Sequence, residues 1–128
     1  MRPGVKVIGV QPERANAAYV SRQNGEPTAI DYWDSIADGL SARRPGARPF
    51  AHLQEYMDDI VLVSEADIGR AFKTLLNRGK LLGEAAGVVA SAAFLADKVD
   101  TSKRTVAALT GGNLTQDSID KLLALAEG

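Results

Sequence analysis

The sequence predicts a three-layer α/β domain, a mostly parallel sheet with helices on both faces. Three observations lead there. Residues 5–10, 60–63 and 104–109 form short apolar runs, the first two dense in β-branched residues, with the character of buried strands. Segments with helical apolar spacing separate them. A glycine turn, Thr110-Gly111-Gly112-Asn113, follows the third run and precedes a last helix-like segment. Alternation of this kind argues for parallel strands joined by crossover helices.

The elements follow in order. Val5-Lys6-Val7-Ile8-Gly9-Val10 reads as the first strand, ended by Gln11-Pro12. Residues 14–24 read as a helix stopped by Asn24-Gly25, since both residue types tolerate the left-handed conformation. Residues 26–35 are loop-like, with Pro27 and the lone Trp33, and Ile36 to Leu40 is a short apolar stretch broken by Asp38-Gly39. Arg43-Arg44-Pro45-Gly46 is a basic turn. Residues 49–57 read as a helix with proline near its first turn, Phe50, Leu53 and Met57 sharing a face. Asp58-Asp59 enters the second strand, residues 60–63. Ser64 is the expected N-cap of the next helix, with Glu65 and Asp67 in its first turn and Gly79 as its stop. Residues 85–96 form an Ala- and Gly-rich helix whose small residues allow a backbone or a ligand close. Residues 104–109 are the third expected strand, and residues 115–127 the closing helix.

The totals narrow the function. A length of 128 residues suits one domain, and 24% charged residues with a net charge of −1 give no reason to expect nucleic acid or an acidic membrane surface as partner. With no cysteine there is no disulfide, thiolate or cysteine-ligated metal chemistry. No apolar run approaches the roughly 20 residues of a membrane span. Met1-Arg2-Pro3-Gly4 opens without the apolar stretch of a signal peptide, so a cytoplasmic location is the default expectation.

The Thr110 turn is the candidate site. A strand, a glycine turn and a helix start place small polar groups at the carboxyl edge of a sheet, where open α/β sheets bind ligands. Gly111 and Gly112 let the backbone approach a flat ligand, and Thr110 offers a hydroxyl at the strand tip. The same pattern also serves as a plain turn.

Five blocks then occur in sequence: Val7-Ile8-Gly9-Val10-Gln11-Pro12, Ile36-Ala37-Asp38-Gly39, Asp58-Asp59-Ile60-Val61-Leu62-Val63-Ser64-Glu65, Lys80-Leu81-Leu82-Gly83-Glu84 and Thr110-Gly111-Gly112-Asn113. Together they resemble the second half of the catalytic domain of threonine dehydratases (threonine ammonia-lyases) and the similar serine racemases. These are pyridoxal-phosphate enzymes of the fold-type-II, tryptophan-synthase-β-like class. The resemblance runs over nearly the whole chain, residues 5–123.

The resemblance implies a cofactor, pyridoxal 5′-phosphate, and a small hydroxy amino acid as substrate. It sets the Thr110 hydroxyl against the pyridine nitrogen, where the family carries a Ser-Gly-Gly-Asn-type loop. A neutral hydroxyl makes the ring a weaker electron sink than a carboxylate would, which suits β-elimination. Gly39 is implied to lie close to the ring, where a side chain would collide, and Glu84 matches a glutamate near the ring. A carboxylate near a helix start also answers the helix dipole alone. Some relatives bind a divalent cation through a Glu-Pro pair and a following aspartate. Here the pair is Gln11-Pro12 and the aspartate position holds Ala17, so no metal is expected, Glu13 being the one carboxylate nearby.

The family's cofactor lysine lies in a Ser-x-Lys-x-Arg-type stretch of the first half of the domain, and its phosphate loop just before the strand that begins here at Val5. Neither motif occurs in this chain. The expectation is a single unit, residues 1–128, forming the C-terminal part of a catalytic domain, with no catalytic residue of its own and no activity alone. The alternative is a non-catalytic binding or assembly subunit of a split enzyme whose partner chain carries the lysine half. A homo-oligomer is expected in either case, because a cut sheet exposes an unpaired edge. His52 reads as a surface residue, Arg43 and Arg44 as a solvated turn, and Tyr32 and Trp33 as packing residues or an oligomer contact.

Overall fold

The computed structural model describes residues 4–127. Most of the Met1-Arg2-Pro3-Gly4 segment, read above for the lack of a signal peptide, therefore lies outside the described residues. Two strands, β1 (Ile8–Pro12) and β2 (Asp59–Val63), pair in parallel, with Val10 opposite Val61 and Pro12 opposite Val63. The α-helices are α1 (Ala17–Asn24), α2 (Ala47–Tyr56), α3 (Glu65–Thr74), α4 (Val89–Leu95) and α5 (Gln116–Leu125). The mixed α/β class is as the sequence predicts.

Strand alternation divides the molecule. Val10, Val61 and Val63 face a core built from α3, α4 and α5, in which Val63, Ile68, Phe72, Val88, Ala92 and Leu122 are fully buried. On the other side α1 packs against β2 and α2 against α1, with Ile60 and Phe50 buried and Met57 against Gly9. Helices thus cover both faces of the two strands.

Local chemistry explains the elements. The Ser64 hydroxyl accepts from the Asp67 amide (3.1 Å) and the Asp67 carboxylate accepts from the Ser64 amide (3.0 Å), a complete capping box for α3. Gly25 closes α1 with φ of 75°. At the start of α1 the Asn16 side chain provides no cap; instead the Gln11 side chain reaches over from β1, its Oε1 accepting from the Tyr19 amide at 2.9 Å. Arg22 donates to the carbonyls of Met57 (2.7 Å) and Asp58 (2.6 Å), tying α1 to the entry of β2.

Several boundaries differ from expectation. β1 begins three residues later than Val5 and includes Gln11-Pro12, because the register with β2 starts at Ile8 and Asp59. The expected helix from Arg14 divides into a 3-10 turn, Glu13–Ala15, and α1. α3 ends in a wide π turn, Leu75–Gly79, with Lys80 rather than Gly79 in the left-handed region (φ 55°). The expected 85–96 helix divides into a 3-10 turn, Ala85–Gly87, and α4.

The main correction concerns residues 104–109, which form no strand. They run irregular and exposed, Val106 at 88%, with only Leu109 half-buried. A strand is a property of a pair, and among the described residues β1 and β2 pair only with each other. The run has strand composition without a neighbour to bond.

Candidate functional site

The turn after this run still reaches the body of the protein. The Thr110 amide donates to the Gly87 carbonyl at 3.4 Å. A Cβ added to Gly87 would fall on the Thr110 carbonyl group, so this approach needs glycine. A Cβ added to Gly83 would stand 2.6 Å from Leu109 Cδ1. Among the small residues of the 85–96 segment, read in the sequence as permitting close approach, Gly87 receives the Thr110 backbone.

Gly111 turns the loop with φ of 70°, and a Cβ there would meet Glu84, 2.5 Å from Cγ. Gly39 sits in the 3-10 turn Asp38–Leu40, where a Cβ would lie 3.2 Å from that of Ala86. The structure therefore brings Gly39, Glu84, Thr110 and Gly111 to one place, around the turn Ala85–Gly87. Gly112 is the contrast: a Cβ there would meet nothing within 4 Å. Thr110, Gly111, Gly112 and Asn113 are all exposed.

Beside this cluster opens a cleft of about 820 Å3, lined among others by Asp38, Glu65, Glu84, Asn113 and Lys121. Its charge is mixed. Arg14, in its lining, bonds the Tyr32 hydroxyl and pairs with Asp34 at 3.2 Å. The Tyr32 hydrogen bond first, with Asp34 and Glu65 contributing, raises the Arg14 pKa above its ordinary value. Lys121, also in its lining, pairs with Asp117 at 2.7 Å, both side chains exposed, an ordinary i,i+4 surface pair and not a desolvated amine.

The remaining sequence candidates lie apart from the loop. His52 is exposed and stacks on Tyr56, centroids 5.8 Å apart. Arg43 lies over the Trp33 ring, 5.4 Å from its centroid. Sequence reasoning passed over Gly87, for which the Ala-Ala-Gly run was a signal, and Glu65, whose long-range partners left no local one.

Comparison with known proteins decides the family. Residues 1–111 match the family described as pyridoxal-phosphate dependent enzyme. The chain belongs to this family. It is 39% identical to an L-threonine ammonia-lyase of Geobacter sulfurreducens over 91% of its length, and 34% identical to the catabolic L-threonine dehydratase TdcB of Escherichia coli over 99%. It covers 29% and 40% of those two proteins. Among solved structures, the processed form of threonine deaminase isoform 2 from Solanum lycopersicum superposes with a TM-score of 0.86 at 30% identity, over 97% of this chain and 37% of that one. Maize serine racemase, at 22% identity and a TM-score of 0.79, shares the fold. The chain thus spans some three to four tenths of the length of these relatives.

The family's cofactor is pyridoxal phosphate, and the residues described fit one part of it. Exposed Thr110 and the bare, open flank of Gly112 suit the edge of a flat heteroaromatic ring. The phosphate end finds no equivalent at α5, the helix that follows the loop. Its first turn is closed by its own capping box, the Thr115 hydroxyl accepting from the Ser118 amide (3.2 Å) and Ser118 Oγ from the Thr115 amide (2.9 Å).

Proposed function

We propose that the chain is the C-terminal part of the catalytic domain of a pyridoxal-phosphate-dependent threonine or serine dehydratase. The reaction is β-elimination of a hydroxy amino acid to a 2-oxo acid and ammonia. The observation that carries this reading is the meeting of Gly39, Glu84, Thr110 and Gly111 around one turn beside an open cleft. The names and identities of the relatives support it.

When bound, the cofactor supplies the electron sink for breaking bonds at the α-carbon. The chain's own residues do simpler things in this reading. Thr110 offers its hydroxyl to the ring nitrogen and leaves that nitrogen without a full counter-charge. Gly111 and Gly112 admit the ring edge, Asn113 continues the wall beside them, and Gly39 leaves room on the opposite side. Glu84 orients beside the ring at the cleft wall. No residue here takes the α-proton, since no lysine stands in a Ser-x-Lys-x-Arg-type stretch. The chain alone is therefore expected to lack dehydratase activity and to need the lysine half from elsewhere.

A cofactor titration of the purified chain tests this. Absorbance is followed through the covalent lysine band, then borohydride is added and the chain assayed for 2-oxobutanoate from threonine. Neither a covalent adduct nor product is expected; a specific adduct at one lysine, or turnover, would overturn the account.

A second reading, a binding or assembly subunit of a split enzyme in the cytoplasm, is favoured by one observation. Val5, Val7, Ile8 and Val106 are exposed on segments of strand character. A neighbouring reading frame that encodes the lysine motif and a glycine-rich phosphate loop is what this reading expects.

A further inference from the structure

Glu65 is the first residue of α3, at the carboxyl end of β2. A glutamate there needs only the helix dipole to account for it. In this fold, however, Ser64 and Asp67 complete the cap between themselves, and the Glu65 side chain turns the other way. Its Oε1 accepts from the Ser35 hydroxyl at 2.6 Å and its Oε2 from the Ile36 amide at 2.8 Å. Both oxygens are thus given to a segment 29 and 30 residues earlier in the chain.

Upstream, this segment is held by Ser21 at Thr28 (2.8 Å), by the Arg43 carbonyl at Ile30 (2.9 Å) and by Arg14 at the Asp34 carbonyl (3.0 Å), and Glu65 takes over at Ser35 and Ile36. Residues 26–37 contain no helix or strand. Ser35 Oγ also accepts from the Ala37 amide (3.1 Å), and Ala37 is fully buried in the α3–α4–α5 core. The Ala37 carbonyl then accepts from the Leu40 amide (2.9 Å), closing the turn that holds Gly39 against Ala86. Glu65, Ser35, Ile36 and Asp38 all line the cleft with Glu84. A chain of bonds therefore runs from Glu65 to the glycine that faces the Ala85–Gly87 turn.

We propose that Glu65 is a positioning residue: its carboxylate fixes Ser35 and Ile36 so that the Asp38–Leu40 turn sets Gly39 against Ala86, beside the cleft that Asp38 and Glu84 line. This rests on the cofactor reading of that cleft for its functional meaning, while the clamp itself rests on the hydrogen bonds. Charge-assisted bonds of this kind are stronger than neutral ones, and losing two of them frees a segment with no ladder to hold it.

The test is amide hydrogen exchange on the full chain, comparing Glu65→Ala, Glu65→Gln and Ser35→Ala with wild type. Glu65→Ala is expected to speed exchange of residues 36–40 about tenfold or more, leaving the β1–β2 amides unchanged. Glu65→Gln is expected to restore most of the protection. Its amide oxygen accepts from Ile36 and its NH2 donates to Ser35 Oγ, which reverses its role. Ser35→Ala, which leaves α3 untouched, is expected to give a partial effect. Unchanged exchange in Glu65→Ala would overturn the proposal. So would a uniform loss of protection across β1, β2 and α3 that Ser35→Ala does not share locally, since Glu65 would then serve folding alone. Titration of the same variants with pyridoxal phosphate forms a second arm, with about tenfold weaker binding expected for Glu65→Ala and near wild-type binding for Glu65→Gln. Equal affinity in wild type and Glu65→Ala would sever the clamp from the site. This arm reads non-covalent binding, since no covalent adduct is expected of the chain alone; where the wild-type chain shows none, the exchange arm decides the clamp by itself.

Discussion

Glu84 lies against the bare α-carbon of Gly111, its Cγ 2.5 Å from where a Cβ would stand. The carboxylate proposed for the cofactor site and the loop proposed to carry it thus fix each other. Gly111→Ala meets two obstacles, a left-handed φ of 70° and the Glu84 side chain. The first costs about 1–2 kcal/mol, and the second swings the carboxylate away. A lower midpoint in denaturant unfolding, together with weaker cofactor binding, is the expected outcome.

Gly112→Ala and Gly87→Ala separate binding from folding. A methyl on Gly112 meets nothing within 4 Å, so stability stays within about 0.5 kcal/mol of wild type. The same methyl enters the space assigned to the ring, and cofactor affinity falls. Gly87→Ala strikes the Thr110 carbonyl, a backbone group that cannot rotate away, and costs about 1–3 kcal/mol. Thermal unfolding and cofactor titration of the two variants are expected to rank them in opposite order of cause: one folded and weak in binding, the other destabilised.

Gln11 reaches from β1 to cap α1, its Oε1 accepting from the Tyr19 amide. Gln11→Ala removes that acceptor and is expected to cost about 1 kcal/mol in urea unfolding. Gln11→Glu keeps the acceptor and places a negative charge at a helix start, so it is expected to retain the stability.

Asp67 gives the fold an acid dependence. Burial pushes its carboxyl up, but hydrogen bonds from the Ser64 amide and hydroxyl and from Arg70 outweigh it and hold the group below the ordinary carboxylate range. A depressed folded pKa contributes stability that is complete above the unfolded value, about 3.9, and is lost as pH falls through the folded one. Asp67→Asn is therefore expected to cost about 1 kcal/mol at pH 7, with the gap to wild type closing below pH of about 4. Unfolding curves at pH 7, 5 and 3 check the sign.

Exposed strand-like surface invites association. Val106 is 88% exposed in a run with no strand partner among the described residues, and Val5 is 58% exposed. Dimers or larger assemblies are expected in sedimentation at micromolar concentration, and Val106→Lys is expected to shift the distribution toward monomer. A single monomeric species for the wild type would remove the argument.

Much of the architecture is legible from local chemistry. Ser64 with Asp67 announces a capping box, Asn24-Gly25 a left-handed stop, and the β-branched runs at 5–10 and 60–63 a parallel pair, because each signal lies within a few residues of its effect, though Val5, Val7 and Ile8 are exposed rather than buried. The ordered blocks also led to the family, since their residue types survive in any fold context. Residues 104–109 show the limit. Their composition says strand, but pairing depends on a neighbour, and composition carries no information about whether one is there.

The sequence by itself determined the α/β class, the family and the six candidate residues, Gly39, Glu84, Thr110, Gly111, Gly112 and Asn113. Only the tertiary structure decided which of them meet: Gly39 on Ala86, Gly111 on Glu84, Thr110 on Gly87, and Glu65 reaching back to Ser35 and Ile36. The physical reason is range. Caps, stops and strand runs are fixed by neighbours in the chain, whereas these contacts join segments tens of residues apart and exist only once the core around Val63, Phe72 and Leu122 has closed.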